Sequence, residues 1–484
     1  MSYTEIKEVK MKVAFIFGKG IEGCGVTKGA NIFESWLVSQ GHETIVIDFD
    51  NKQHFGRAKD TEWKSTIHRV ESNHEIKDTQ PVIDEVNTCD IAIIHSFPTR
   101  KNGKYIDRFR EFVEHISDPI IVIHDHAITK QTINRQTQAA ELFSLADIGV
   151  TQSFEGYSND CYLHTDPGLE GCLMENPIWV NTSEYDKHRA SLEDRKKHFI
   201  YMGRMSTLKD PGMICRIEPY LKNDWDLTLM GCERSISSIG IPESKTLATD
   251  PAPYHKSYQP KIKFIGTNSA GEHYEPAKEK EKTGTTITAY DSYKYDFGMN
   301  QLGSSMAAWC GYRLGNPKEY GHRMEYTVIE SFLLSLPVIS KHFAENAVSP
   351  EGKKWGEYYG PLISKATCEE ELAAELNRIY NNKEEWIART KACQELVYNF
   401  NDIEVLGPKF LDFVLTKGKR RNKIEFIDRI SSYFPSAKQR REDGEIIVST
   451  PGSVLNEKAY TLVDGKQNEI KEPKDVGATL EGFF

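Results

Sequence analysis

The sequence predicts an α/β protein with two parallel sheets, each covered by helices on both faces. Short, continuously apolar runs recur along the chain, separated by stretches with helical apolar spacing, the pattern of strands buried on both sides. Several runs end in glycine turns, as at Gly18-Lys19-Gly20, Gly203 and Gly231. The series starts twice, near residue 12 and near residue 198, and 484 residues suffice for two or three domains.

The first run, 12–17, is a strand leading into the turn Gly20-Ile21-Glu22-Gly23-Cys24-Gly25. A helix over 26–39 follows, with Ile32, Phe33, Trp36 and Leu37 on one face; Gly41-His42 stops it, and 43–48 is the second strand of a βαβ unit. Strands over 89–95, 119–124 and 148–151 alternate with helices over 105–116 and about 134–146. The second half has strands at 199–204 and 225–231, a helix over 324–334 and a strand at 337–340, with the boundary between halves around 180–197. Segment 235–282, rich in Pro, Gly, Ser and Lys, reads as an insertion with long loops. Helices over 369–380, 384–398 and 403–415 precede a basic cluster, Lys417, Lys419, Arg420, Arg421 and Lys423, and then a small β appendage. The domains expected are 11–190, 191–400 with the 235–282 insertion, a helix over 401–415, and an extension over 416–484.

Composition narrows the function classes. At 39% hydrophobic and 27% charged the chain is an ordinary folded protein, not a disordered or fibrous one. No apolar run reaches the ~20 residues that span a bilayer, and the start, Met1-Ser2-Tyr3-Thr4-Glu5, lacks an export signal, so the expected compartment is a cytoplasm. Nine scattered cysteines without a CxxC pair fit neither a disulfide framework nor a zinc ribbon. A net charge of −10 disfavours nucleic-acid binding by overall charge but leaves room for one basic face.

Four places carry candidate chemistry. The turn 20–28 closes a strand and opens a helix, where free N–H groups and the helix dipole favour anions; Val26-Thr27 stands where a P-loop has Gly-Lys, which excludes that kinase motif. The competing reading is a plain tight connection. Gly203-Arg204 with Lys209 puts two cations just past a strand end, a pairing suited to a diphosphate, against the alternative of surface charges. Glu330 lies within an apolar helix, either exposed or bonded to a partner such as a ribose hydroxyl pair, while Glu325 fits a first-turn acid. His124-Asp125-His126 ends a strand and has three readings: metal ligation, structure, or acid/base and acceptor-positioning chemistry.

Together these motifs resemble the GT-B nucleotide-sugar glycosyltransferases: a glycine turn after the first strand, Gly-Arg-x4-Lys opening the second half, and a late Glu before a Pro-Val-Ile segment. More narrowly, Gly20 to Lys28, His124-Asp125-His126, Gly203-Arg204 and Glu325-Tyr326-Thr327 are similar to the DNA α-glucosyltransferases of T-even bacteriophages. The resemblance implies a GT-B fold, two Rossmann-like domains facing across a cleft, with a C-terminal extension. It implies a retaining enzyme that moves a sugar, glucose or a pentose such as arabinose, from a UDP-sugar to 5-hydroxymethylcytosine in double-stranded DNA. Such modification protects phage DNA from host nucleases, and the cytoplasm would be the host's.

On the donor side it implies Glu22, Gly23, Gly25, Arg204, Lys209, Glu325, Tyr326, Thr327 and Glu330, with Arg204 and Lys209 on the diphosphate and Glu330 on the ribose. Asp125 and His124 would be catalytic, and His126, Arg135 and Lys28 would face acceptor DNA. No cofactor beyond the UDP-sugar, no metal, no membrane and a monomer are expected. Eight positions before Glu330, where many retaining GT-B enzymes carry a second Glu, this chain has His322. Other acceptors for the same fold are a cell-surface glycan or small molecule, and a catalytically inert nucleotide-sugar or DNA binder remains a third reading.

Overall fold

The computed structural model describes residues 10–18, 21, 25–50, 62–71, 76–96, 103–125, 146–151, 173–175, 178–203, 210–221, 225–231, 261–267, 273–274, 286–290, 293–310, 325–341, 362–418, 459–463 and 466–470. The chain divides into two compact units: described residues up to Val180 together with those from Asn401 onward, and Asn181 to Phe400.

In the first unit the strands are β1 (Lys12–Phe17), β2 (Glu43–Asp50), β3 (Ile67–Glu71), β4 (Ile91–Ser96), β5 (Ile120–Asp125), β6 (Ile148–Thr151) and β7 (Leu173–Glu175). They form one parallel sheet in the order β3-β2-β1-β4-β5-β6-β7, so the chain reverses direction across the sheet at β1 and β4. Period-two alternation explains why β1 is apolar throughout. Ala14 and Ile16 enter a core with helices α2 (Ile76–Asn87) and α3 (Gly103–Glu114). Val13, Phe15 and Phe17 enter the opposite core, under α1 (Gly25–Ser39) and the last long helix.

The second unit holds β8 (His198–Met202), α4 (Gly212–Ile217), β9 (Asp226–Met230), β10 (Lys261–Thr267), β11 (His273–Tyr274), β12 (Thr286–Tyr290), α5 (Tyr295–Ser304), β13 (Ala307–Cys310), α6 (Tyr326–Leu333), β14 (Val338–Ser340), β15 (Ser364–Lys365), α7 (Glu369–Asn381) and α8 (Lys383–Phe400). Its sheet order is β11-β10-β12-β9-β8-β13-β14-β15, parallel except for β11. Phe199, Tyr201, Leu227 and Leu229 pack against α4, α7 and Trp386. The expected loop insertion over 235–282 is corrected in part: β10 and β11 lie inside it, and Lys261–Ile265 pairs in parallel with Thr286–Tyr290. Lys261, Lys263 and Gly266 hide the alternation of Ile262 and Phe264 from a composition-based reading.

Helix α9 (Ile403–Lys417) returns to the first unit. Asp402 caps its N-terminus by accepting from the Glu404 N–H at 2.9 Å, and Ile403, Leu406, Phe410, Leu411 and Val414 complete the core under α1. Trp36 of α1 donates from Nε1 to Glu404 at 3.1 Å, and Phe33, Trp179 and Phe410 pack edge and tilted within 4.6–5.4 Å. Strands β16 (Ala459–Val463) and β17 (Lys466–Ile470) pair as an antiparallel hairpin.

The ends of β8 and β9 are in close contact. Gly203 donates to the Met230 carbonyl at 3.0 Å, Gly231 has φ +101°, and a Cβ added at 231 would stand 2.5 Å from the Gly203 oxygen. A side chain there meets both a disfavoured backbone and a backbone wall. Gly231→Ala is therefore expected to lower unfolding free energy by roughly 2 kcal/mol or more, from strain of ~1–3 kcal/mol plus the clash. Urea denaturation followed by circular dichroism checks this, and a loss below about 0.5 kcal/mol would contradict the packing.

Candidate functional site

In parallel α/β sheets ligands collect at the carboxyl ends of the strands, where helix N-termini point. In the second unit that edge is made by Met202-Gly203, Met230-Gly231 and Tyr290, with the Gly231 N–H donating to the Tyr290 carbonyl at 3.0 Å. Helix α6 presents its N-terminus to the same edge: Thr327 Oγ1 donates to the Met202 carbonyl at 3.0 Å, tying the first turn of the helix to the end of β8. Glu325 is the extended residue before that helix, and its carbonyl accepts from Val328. The far end of α6 is neutralised by cations. Arg189 donates to the Leu333 carbonyl at 2.8 Å, Arg195 donates to Leu334 and to Ser335 at 2.9 Å, and Gln394 adds a bond to Leu333 at 3.0 Å. With its carbonyls satisfied, the helix keeps a positive N-terminal field for an anion at the sheet edge.

Glu330 is buried on α6, 4% exposed, and accepts from Tyr185 Oη at 3.4 Å; Tyr295 Oη in turn donates to Tyr185 Oη at 3.1 Å. Burial first, and then the Glu330 charge, hold the Tyr185 phenol well above its ordinary pKa, so it stays a donor. The alternative of an exposed Glu330 is thus removed. Neither tyrosine was among the sequence candidates. Tyr185 lies between regular elements and Tyr295 opens a helix of mixed polarity, so no periodicity marks either.

Arg204 and Lys209 lie outside the described residues, but the chain on each side is fixed. Gly203 follows the last residue of β8, and the described chain resumes at Asp210, 1% exposed, with a left-handed φ of +38°. Asp210 Oδ2 bonds Arg216 Nη2 at 2.8 Å and Lys341 Nζ at 2.5 Å, Arg216 Nε reaches Glu369 at 2.5 Å, and the Asp210 carbonyl accepts from Trp309 Nε1 at 3.0 Å. Burial alone would raise the Asp210 carboxyl; the Arg216 and Lys341 cations outweigh it and hold the pKa below the usual range.

In the first unit the carboxyl edge is built from the ends of β1, β4 and β5. The Ile21 N–H donates to Asp48 Oδ1 at 2.9 Å, which secures the start of the glycine turn; α1 begins at Gly25 and carries Lys28 in its first turn. Glu22, Gly23, His126 and Arg135 lie outside the described residues. Asp125 is the last residue of β5, its backbone in register with Thr151. His124 is 2% exposed within a ring stack. Its centroid is 5.3 Å from that of His95 and 5.1 Å from Trp179, and His95 stacks on Phe15 and Phe17 at 5.6 and 5.4 Å. Burial drives the His124 pKa down to about 3, and burial first, with the neighbouring His124 ring second, holds that of His95 well below 6.5. His124 is therefore a neutral ring packed among aromatic side chains near the end of β5. Among the described residues no group of three or more His, Cys, Asp or Glu side chains is placed to hold a metal, and no helix is long and apolar enough to cross a membrane.

Comparison with known proteins agrees with the architecture. A family model for DNA alpha-glucosyltransferase (AGT) matches residues 24–166. The chain is 29% identical over 260 residues to the DNA alpha-glucosyltransferase of Enterobacteria phage T4; that match takes in 48% of this chain and 61% of the phage protein, less than two thirds of the relative's length. A solved alpha-glucosyltransferase in complex with UDP superposes over 84% of this chain and all of its own, with a TM-score of 0.65 and 18% identity. The same kind of enzyme with UDP and a 13-mer DNA containing a HMU base gives a TM-score of 0.64 at 16% identity over 84% of this chain and all of that one. HepE of Anabaena with UDP and glucose gives 0.53 at 10% identity over the same shares. The fold is GT-B, with two Rossmann-like sheets, and the chain resembles the DNA α-glucosyltransferases.

The ring stack sets a pH dependence of stability. His124, with a folded pKa of about 3 against about 6.5 when unfolded, binds its proton only in the unfolded chain between those values. Stability is therefore full above about pH 6.5 and falls as pH drops, by up to about 1.4 kcal/mol per pH unit for each such histidine. His124→Phe is expected to flatten the slope between pH 6 and 4 by about one proton's worth, measured by urea denaturation across that range. An unchanged slope would contradict the buried neutral ring.

Proposed function

We propose that this chain transfers a glycosyl group, glucose in the first instance, from a UDP-sugar to the hydroxymethyl group of 5-hydroxymethylcytosine in duplex DNA, with retention at the anomeric carbon. The observation that carries the proposal is the edge of the second sheet. There β8 ends at Met202 and Gly203 stands directly before Arg204, the described chain resumes at Asp210 directly after Lys209, and α6 brings its N-terminus and buried Glu330 to the same end. The match of residues 24–166 to DNA alpha-glucosyltransferases supports the acceptor.

Glycosyl transfer breaks the bond from the anomeric carbon to UDP and forms one to the acceptor oxygen, so charge builds on the departing diphosphate. Arg204 supplies a planar fork and Lys209 a point charge for that diphosphate, and the α6 N-terminus adds its dipole. These groups neutralise the leaving group without calling on a metal. Glu330, steadied by Tyr185, takes the ribose hydroxyls, and Glu325, Tyr326 and Thr327 line the donor side. Glu22, Gly23 and Gly25 of the first glycine turn complete the donor contacts.

On the acceptor side Asp125, at the end of β5, orients the attacking hydroxyl and receives its proton. His124 serves it as a positioning residue, because a ring packed at a tilt against His95 and Trp179 fixes the strand end that carries the carboxylate. Lys28, His126 and Arg135 contact DNA, and the target nucleotide leaves the helix to reach the carboxylate. The reaction belongs in a host cytoplasm, carried out by a monomer.

The decisive assay is mass spectrometry of nucleosides after hydroxymethylated duplex DNA is incubated with the protein and UDP-glucose. Glucosylated 5-hydroxymethyl-2′-deoxycytidine is the expected product; unconverted nucleoside with UDP-glucose and UDP-arabinose alike would overturn the proposal. Arg204→Ala is expected to lower donor kcat/KM by roughly 10- to 100-fold, the loss of a charge-assisted contact worth ~1.5–3 kcal/mol. Steady-state kinetics check it, and a change under about threefold would remove Arg204 from the site.

A further inference from the structure

We infer that Thr327 is a positioning residue for the diphosphate of the donor: its hydroxyl locks the first turn of α6 to the last peptide of β8 and does not itself bind the ligand. The inference rests on the proposed donor site and goes beyond it, because the Thr327 hydroxyl is given a backbone carbonyl as its partner in place of the donor.

Thr327 Oγ1 donates to the Met202 carbonyl at 3.0 Å. A hydroxyl carries one proton, and here it is spent inside the protein. What the oxygen has left is lone pairs, which a phosphate oxygen does not want. The accepting carbonyl belongs to the peptide that joins Met202 to Gly203, and the N–H of the same peptide donates to the Met230 carbonyl at 3.0 Å. Both polar atoms of that peptide are therefore engaged, one by the neighbouring strand and the other by the helix. Strand β8 lies in the interior of the sheet between β9 and β13, so α6 is moored to a central strand end and not to a fraying edge.

The mooring matters because of what the first turn of α6 offers. The leading N–H groups of a helix find no acceptor within it, and the N-cap residue Glu325 makes no side-chain cap bond to them. At the strand ends beside this turn, Gly203 and Gly231 carry no side chain, and a Cβ at 231 would meet the Gly203 oxygen at 2.5 Å. The far end of α6 is held by Arg189, Arg195 and Gln394, and Thr327 holds the near end. The field of a helix terminus falls off within one turn, so its value to an anion depends on where that turn is held. A small displacement of such donors costs a charged phosphate more than it costs a nucleoside.

The test compares ligands that differ only in phosphate. Binding of UDP, UMP and uridine is measured by calorimetry for the wild-type chain, Thr327→Ser and Thr327→Val, with Thr327→Ala in place of the valine variant should that melt below the assay temperature. Serine keeps the hydroxyl, whereas valine keeps the shape and loses it. The expected result for valine is UDP binding weakened about fivefold or more, uridine within about twofold of wild type and UMP between them, with serine within about twofold for all three. Amide hydrogen exchange of the ligand-free chains separates a lock from a direct contact: the valine variant is expected to exchange faster at Gly203 and in the first turns of α6, and the serine variant to match wild type. Unchanged exchange in the free valine variant would make the hydroxyl a ligand and overturn the inference. So would a UDP loss below about fivefold, a uridine loss equal to that of UDP, or a serine variant that loses as much as valine. Failure of the wild-type chain itself to bind UDP would instead overturn the donor site on which it rests.

Discussion

The carbonyl oxygen of Gly203 occupies the space where a side chain on residue 231 would begin, 2.5 Å from the ideal Cβ position. That contact lets β8 and β9 end side by side and turn away from the sheet without a bulky residue between them. Much of the second unit follows from it. The end of β8 is free to accept the Thr327 hydroxyl on the Met202 carbonyl, which draws the N-terminus of α6 to the strand ends. Glu330, one turn further along α6, then reaches Tyr185.

The first unit obeys a different constraint, burial of a parallel sheet on both faces. Strand β1 divides its side chains between two cores, and α9, distant in sequence, helps to fill the one that also holds α1. Placing His95 and His124 in that core has a cost in acid and a benefit in rigidity. Two rings that stay neutral at ordinary pH pack like aromatics while ending the strands that carry Ser96 and Asp125.

Strands such as 12–17 and 148–151 were legible because an unbroken apolar run has few other uses, and α1, α7, α8 and α9 because their apolar spacing is long. Strand β3, with His68 and Arg69 at a sheet edge, has no such run, and α2 carries Pro81 within it, which reads as a break. Strand β10 was hidden by its lysines. The site divides in the same way. Glycine turns and a Gly-Arg-x4-Lys spacing are local and visible in one sequence. The bonds from Tyr185 to Glu330 and from Lys341 to Asp210 join residues 145 and 131 positions apart, and only the fold brings them together.

The central claim is that a uridine diphosphate binds at the ends of β8 and β9 beneath the N-terminus of α6. Amide hydrogen exchange of the full chain with and without UDP tests it most directly, because it reports where protection rises without assuming catalysis. The account predicts increased protection over residues 203–210, at Gly231 and in the first turn of α6, with little change in β1 to β6. Protection that leaves 203–210 and α6 untouched while appearing elsewhere would contradict it.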